Sequence, residues 1–238
     1  MLLIALSAVG QRHRAVHFPN PVPVPVPQPV TPQQVVLTPL KDNTLFESGN
    51  GSLSDGAGIH LFAGRTNQGS RRRALIAFDV ASKIPAGAKI TSVTLTLHVT
   101  QTVAGTETTA LHAVSADWGE GTSNAGAFRD GNGTSAKTND ATWLHRFFST
   151  LRWTSAGGDF DPSTDATAAA DNTGSVVTFD ATTALIARVQ QWLDQPLTNF
   201  GWIVLGNESA SRSVKEFDSR ESSNATGRPT LTINYIPQ

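Results

Sequence analysis

Residues 90–100 read Ile-Thr-Ser-Val-Thr-Leu-Thr-Leu-His-Val-Thr, with apolar and polar side chains alternating along the run. Successive side chains of a β-strand point to opposite faces, so Val93, Leu95, Leu97 and Val99 fall on one side and the threonines and His98 on the other. A helix could not segregate these residues, so the run commits its part of the chain to a half-buried sheet. Ala74, Ile76, Phe78 and Val80 make a second apolar face, with Arg73 and Asp79 opposite, and Leu231, Ile233 and Tyr235 a third. Residues 200–206 are apolar throughout, which predicts a central strand covered on both faces. Residues 84–89 carry turn chemistry between two strands.

One segment breaks the β pattern. Leu185, Ile186, Val189, Trp192 and Leu193 recur at helical spacing, which predicts an amphipathic helix over residues 181–194, capped by Asp180 and stopped by Pro196. Long stretches at residues 119–139 and 157–172, rich in Gly, Ser, Thr, Asn and Asp, read as loops. The expected fold of residues 34–238 is therefore all-β: a jelly-roll-like antiparallel β-sandwich with this one helix packed on it.

Of 238 residues, 39% are hydrophobic and 16% charged, enough for a sizeable core under a mostly uncharged polar surface. A formal net charge of −1 supplies no long-range field for nucleic acid or anionic lipid. With no cysteine, disulfides and thiolate metal sites are excluded.

Before the domain come two distinct segments. Residues 1–18 start with a short apolar run that lacks the basic flank of a secretory signal; it reads as a truncated export signal or as a chance apolar start. It is too short to span a bilayer as a helix. Residues 19–33 alternate proline with other residues, which favours polyproline II, and at roughly 3 Å per residue they form a semi-rigid spacer of about 40 Å. Together they suggest an exported, extracellular or cell-surface domain held off from a membrane or a fused neighbouring module.

Two residue sets offer ligand chemistry. Trp118, Trp143 and Trp153 lie in or beside the long loops, where indole faces could stack on a pyranose; equally, they could cover the edge of the core. Trp192 and Trp202 sit in periodic core patterns. Lys41, Arg65, Arg71, Arg72, Arg73, Lys215 and Arg220 supply cations whose guanidinium forks suit the carboxylates of uronate sugars. The competing reading is that Arg72, Arg220, Asp218 and Glu221 pair internally and hold the two sheets in register. Asp42, Glu47 and Asp218 are hard-oxygen candidates for a structural calcium.

Three charged segments carry a resemblance: residues 41–47 (Lys-Asp-Asn-Thr-Leu-Phe-Glu), 71–79 (Arg-Arg-Arg-Ala-Leu-Ile-Ala-Phe-Asp) and 215–222 (Lys-Glu-Phe-Asp-Ser-Arg-Glu-Ser). Together they resemble the DNRLRE-type β-sandwich domain, also classed as a carbohydrate-binding module of family 96. The resemblance covers most of the chain after the proline tract. It implies a non-catalytic polysaccharide-binding role, and, since some related modules bind alginate, an acidic glycan as ligand. It also implies an alternative, because relatives include disaggregatases acting on cell-surface heteropolysaccharide.

Catalysis would need its own residues. The single tyrosine, Tyr235, alternates with Leu231 and Ile233 and so belongs to a core face, while His98, His112 and His145 lie on strand-like segments. Asp117 and Glu120 flank a Gly turn and are the best carboxylate pair for glycosidase chemistry, although loop scaffolding explains them as well. A third possibility is a structural or adhesive surface module, which predicts a flat apolar patch instead of a polar cleft.

Overall fold

The computed structural model describes Gly10 and residues 31–238 other than Ala127 and Phe128. The expected signal segment, apart from Gly10, and most of the proline spacer lie outside the described residues. The strands, in chain order, are β1 (Gln33–Leu37), β2 (Lys41–Phe46), β3 (Leu53–Ser54), β4 (His60–Arg65), β5 (Arg71–Ala77), β6 (Lys89–Thr102), β7 (Glu107–Ala113), β8 (Thr134–Ser135), β9 (His145–Phe147), β10 (Leu151–Arg152), β11 (Ala166–Ala170), β12 (Val176–Phe179), β13 (Trp202–Leu205), β14 (Lys215–Asp218) and β15 (Thr230–Ile236). The helix α1 (Thr183–Asp194) lies between β12 and β13.

The alternating run became the longest strand, β6, with Val93, Leu95, Leu97 and Val99 buried and Thr94, Thr96, His98 and Thr100 partly exposed on the other face. One layer is β1-β15-β6, with β12 on the far side of β6; the other is β2-β5-β13-β7-β11. β14 and β4 join them, because β14 pairs with the end of β6 and with β4, and the last two residues of β4 pair with β5. Every pairing is antiparallel, and the result is one eleven-stranded sheet folded over on itself as a sandwich. The expected all-β class and antiparallel sandwich are observed.

Between the layers lies the main core, which includes Ile76, Phe78, Leu95, Val204, Phe217 and Ile233. α1 adds Leu185, Val189, Trp192 and Leu193 to it, with the Trp192 and Trp202 rings 4.4 Å apart between centroids. The helix begins slightly later than expected. Thr182, not Asp180, is the cap: its backbone is extended and its Oγ1 accepts the Leu185 amide at 2.9 Å. Pro196 follows the helix and opens a 3₁₀ turn.

β13 runs between β5 and β7, as its apolar sequence predicts, with Trp202 facing the main core and Ile203 facing away from it. Gly201 leads into it at φ 78°, and a Cβ there would lie 2.2 Å from the Ile76 carbonyl oxygen, so only glycine fits.

The face of β5 opposite the main core is where expectation and structure part. Arg73 was expected on a polar outer face, but Leu75 and Ala77 share that face and all three are buried. Described residues between 115 and 160 cover it, and their Trp118, Trp143 and Trp153 form a second apolar layer with Leu45, Leu75, Val114 and Ile203, among others. Each buried indole removes on the order of 200 Å² from water, about 5 kcal/mol as an upper estimate by area. That is why so long a stretch with little regular structure can stay in place.

Candidate functional site

The three loop tryptophans are sealed into this second layer, with 1%, 4% and 6% of the surface of Trp118, Trp143 and Trp153 exposed. Trp118 Nε1 donates to the Phe200 carbonyl at 2.8 Å and Trp153 Nε1 to the Thr142 carbonyl at 2.9 Å. Lys41 Nζ sits 4.3 Å over the Trp118 ring, and Arg71 and Arg73 sit 5.0 and 4.9 Å over Trp143. With their faces covered, none of the three offers a surface on which a sugar could stack. The expectation of indole stacking is corrected, and the core-covering alternative is what the fold uses.

Several of the cations are internal as well. Lys215 is fully buried, and its Nζ donates to the carbonyls of Gly105 at 2.6 Å, Asp171 at 2.8 Å and Ala104 at 3.3 Å; burial lowers its pKa. Arg72 is buried over the Phe46 ring and donates to the carbonyls of Arg71 and Gly131; burial pushes its pKa down to about 10. Arg220 Nε lies 3.1 Å from Glu120 and 3.0 Å from Glu221. Lys215, Arg72 and Arg220 are therefore structural cations and not free ligand contacts. The internal pairing expected for Arg220 and Glu221 is present, whereas Asp218 is held by His98 at 3.1 Å and by Ser222, and Arg72 has no carboxylate partner among the described residues.

The remaining arginines converge. Arg71 and Arg73, two apart on β5, share a face, and antiparallel register places Arg65 of β4 directly opposite Arg71. The chain leaving β2 brings Glu47 beside Arg71, and the chain leaving β13 brings Glu208 beside Arg73. Arg71 forks onto Glu47, with NH2–Oε1 at 2.7 Å and Nε–Oε2 at 3.1 Å. Arg73 forks onto Glu208 at 2.6 and 2.9 Å and gives NH1 to the Gly157 carbonyl at 2.7 Å. The hydrogen bond from Arg71 holds Glu47 below the usual carboxylate range, so that pair is ionised at neutral pH.

Arg65 differs from its neighbours. Its Nε donates to the Gly69 carbonyl at 2.9 Å, and among the described residues no carboxylate lies within ion-pair distance of it. Arg65 and Arg71, with Glu47, Gly69, Glu208 and Ser209, line a polar depression of about 260 Å³. Three guanidinium groups thus face two carboxylates, which leaves one positive charge, that of Arg65 in the wall of the depression, without a carboxylate partner among the described residues.

The calcium candidates Asp42, Glu47 and Asp218 are not brought together. Glu47 belongs to the arginine groove and Asp218 to His98, while Asp42 meets Glu120 and Glu221, whose ligand atoms lie within 4.8 Å of one another. Burial, then the charge of Glu221, raises the Asp42 pKa well above the usual range; burial also raises Glu120 and Glu221. The donor set suits a hard cation, and the Arg220 side chain, held against Glu120 and Glu221, offsets one of its three carboxylates.

A second cluster was not anticipated. His60 Nδ1 lies 2.6 Å from Asp130 and Nε2 3.6 Å from Glu216. These partners come from 70 and 156 residues further along the chain, so no local spacing announces them. Burial lowers the His60 pKa, but the Asp130 hydrogen bond and the Glu216 charge outweigh it and the net shift is upward.

Of the catalytic alternatives, Asp117 pairs with Lys41 at 2.7 Å and Glu120 with Arg220, so neither is a free acid. Tyr235 is in the core as expected, and its hydroxyl donates to Gln33. His112 lies against the Asp161 carbonyl, and His145, whose pKa burial lowers, against Thr142.

No protein-family model matches the chain, and neither does any curated protein. Among the described residues, no helix is long and apolar enough to cross a membrane.

Proposed function

We propose that this domain is a non-catalytic binding module for an acidic, uronate-bearing polysaccharide, displayed outside the cell at the end of its proline-rich segment. The observation that carries this reading is Arg65: a guanidinium without a carboxylate partner among the described residues, beside Arg71, in the wall of a polar depression. A uronate carboxylate supplies that partner, and sugar hydroxyls can both donate to Glu47 or Glu208 and accept from Arg71. The resemblance of the charged segments to DNRLRE domains points the same way. The contact surface moves, however, from indole faces to an arginine groove.

Affinity electrophoresis through gels holding a polyuronate or a neutral glucan, with and without calcium, tests the reading. Retardation should occur in the polyuronate and weaken with added salt, because the contact is charged and exposed. Arg65→Ala removes one charge-assisted hydrogen-bonding group of about 1.5–3 kcal/mol, so affinity should fall by roughly tenfold or more. Free migration of the folded protein through every polymer would end the proposal.

Hydrolysis is the second reading, and one observation favours it: His60 held between Asp130 and Glu216 is the kind of His–acid pairing that general acid–base chemistry uses. Release of reducing ends from a polyuronate, lost in His60→Gln, would put catalysis first.

A further inference from the structure

The arginine depression does not stand alone. Glu208 on its wall grips Arg73, and Arg73 is in turn a wall of a larger neighbouring depression of about 550 Å³. The Arg73–Glu208 fork is the partition between them. Trp143 lies beneath both sides, since Arg71 on one and Arg73 on the other stack over its ring.

The two halves differ in chemistry. On the larger side the charged groups already have partners: Arg73 is taken by Glu208 and the Gly157 carbonyl, and the Asp159 carboxylate accepts the amides of Thr154 and Ser155, both at 2.8 Å. What borders the space is the half-buried ring of Phe160, with the Arg73 guanidinium 5.5 Å over one face and His112 packed against it at 5.4 Å, together with the hydroxyls of Ser115, Thr154 and Ser155. Among the described residues, those hydroxyls make no hydrogen bond. An aromatic ring beside free hydroxyls fits a neutral pyranose, which has one apolar C–H face and a rim of donors and acceptors. A second uronate would fare poorly there, because its carboxylate would meet Asp159 and Glu208 with no unpaired cation in reach.

Resting on the acidic-glycan reading above, we infer that the two depressions are adjoining subsites of one site, acidic at Arg65 and neutral at Phe160, so that the ligand is a mixed polymer in which a uronate residue adjoins a neutral one.

Calorimetric titration with two oligosaccharides of equal length, one all uronate and one alternating uronate with a neutral hexose, tests this. The mixed oligomer should bind roughly tenfold more tightly, the size of one aromatic contact plus a hydrogen bond. Phe160→Ala should abolish that preference while leaving the affinity for the all-uronate oligomer unchanged. Because Phe160 also packs against the second apolar layer, Ala156→Trp provides an independent arm: it fills the larger depression from an exposed position and should have the same effect. Equal binding of the two oligomers, or a preference that survives both substitutions, overturns the neutral subsite alone. Failure of both oligomers to bind overturns the acidic reading and this inference with it.

Discussion

Asp55 allows a quantitative test of the loop layer, because its carboxylate is sealed in with only half of its hydrogen bonding met. The residue is 2% exposed; Oδ1 accepts the Ala125 amide at 2.7 Å, and Oδ2 has no partner among the described residues. Burial raises its pKa from 3.8 to about 6, and the Asp130 charge adds to that. Below about pH 3 the group is protonated in both the folded and the unfolded chain. As pH rises toward about 6 the unfolded chain releases its proton first, so stability falls, and it levels off once the folded form ionises too. A shift of about two pKa units corresponds to about 3 kcal/mol.

Asp55→Asn retains the acceptor for Ala125 and carries no proton to release. The stability of the variant minus that of the parent should therefore rise by about 3 kcal/mol between about pH 3 and about pH 7. The new amide nitrogen replaces an oxygen without a partner, which adds an offset of about 1–3 kcal/mol at every pH but no slope. Urea unfolding of both proteins across that range reads the difference, and pH effects from groups common to both cancel. A difference that stays flat to within about 1 kcal/mol would refute the reasoning, since it would mean that the Asp55 carboxylate ionises as it does in water.

Other substitutions probe other parts of the fold. Because the His60 pKa is raised, the stability contributed by its pairing with Asp130 and Glu216 is fully present below its unfolded value and is lost as pH rises through its folded value; the deficit of His60→Gln should shrink above neutrality, and a deficit that grows with pH would contradict this. Lys215→Met leaves three carbonyls without a donor and should destabilise the domain by about 3 kcal/mol without altering retardation by polyuronate; selective loss of retardation at unchanged stability would return Lys215 to the ligand site. Trp118→Ala should cost about 3–5 kcal/mol in chemical unfolding, as a cavity does, and a loss below about 1 kcal/mol would mean that the indole is not in the core.

The strands whose neighbours in sequence decide their environment were readable in advance. Alternation in β6 and β15 reports one buried face, and the uninterrupted apolar run of β13 reports two. The helical spacing of Leu185, Val189 and Trp192 identified α1 and its stop at Pro196. These signals are local, because the pitch of a strand or helix sets which side chains share a face. The charged residues of the groove were also visible as candidates, since Arg65 and Arg71 stand out by type.

What tertiary structure alone decided is which of these candidates meet water and which meet each other. A period-two pattern shows that one face of β5 is apolar, but the cover over Arg73, Leu75 and Ala77 comes from a segment about 40–80 residues away in sequence. That return path turned three apparent ligand tryptophans into core. Register did the rest: the direct pairing of Arg65 with Arg71, and the approach of Glu208 to Arg73 from 135 positions on, leave Arg65 as the cation of that depression without a carboxylate partner among the described residues. Ion pairing depends on distances of a few ångströms, and separations of that size between remote segments exist only once the sheet has closed.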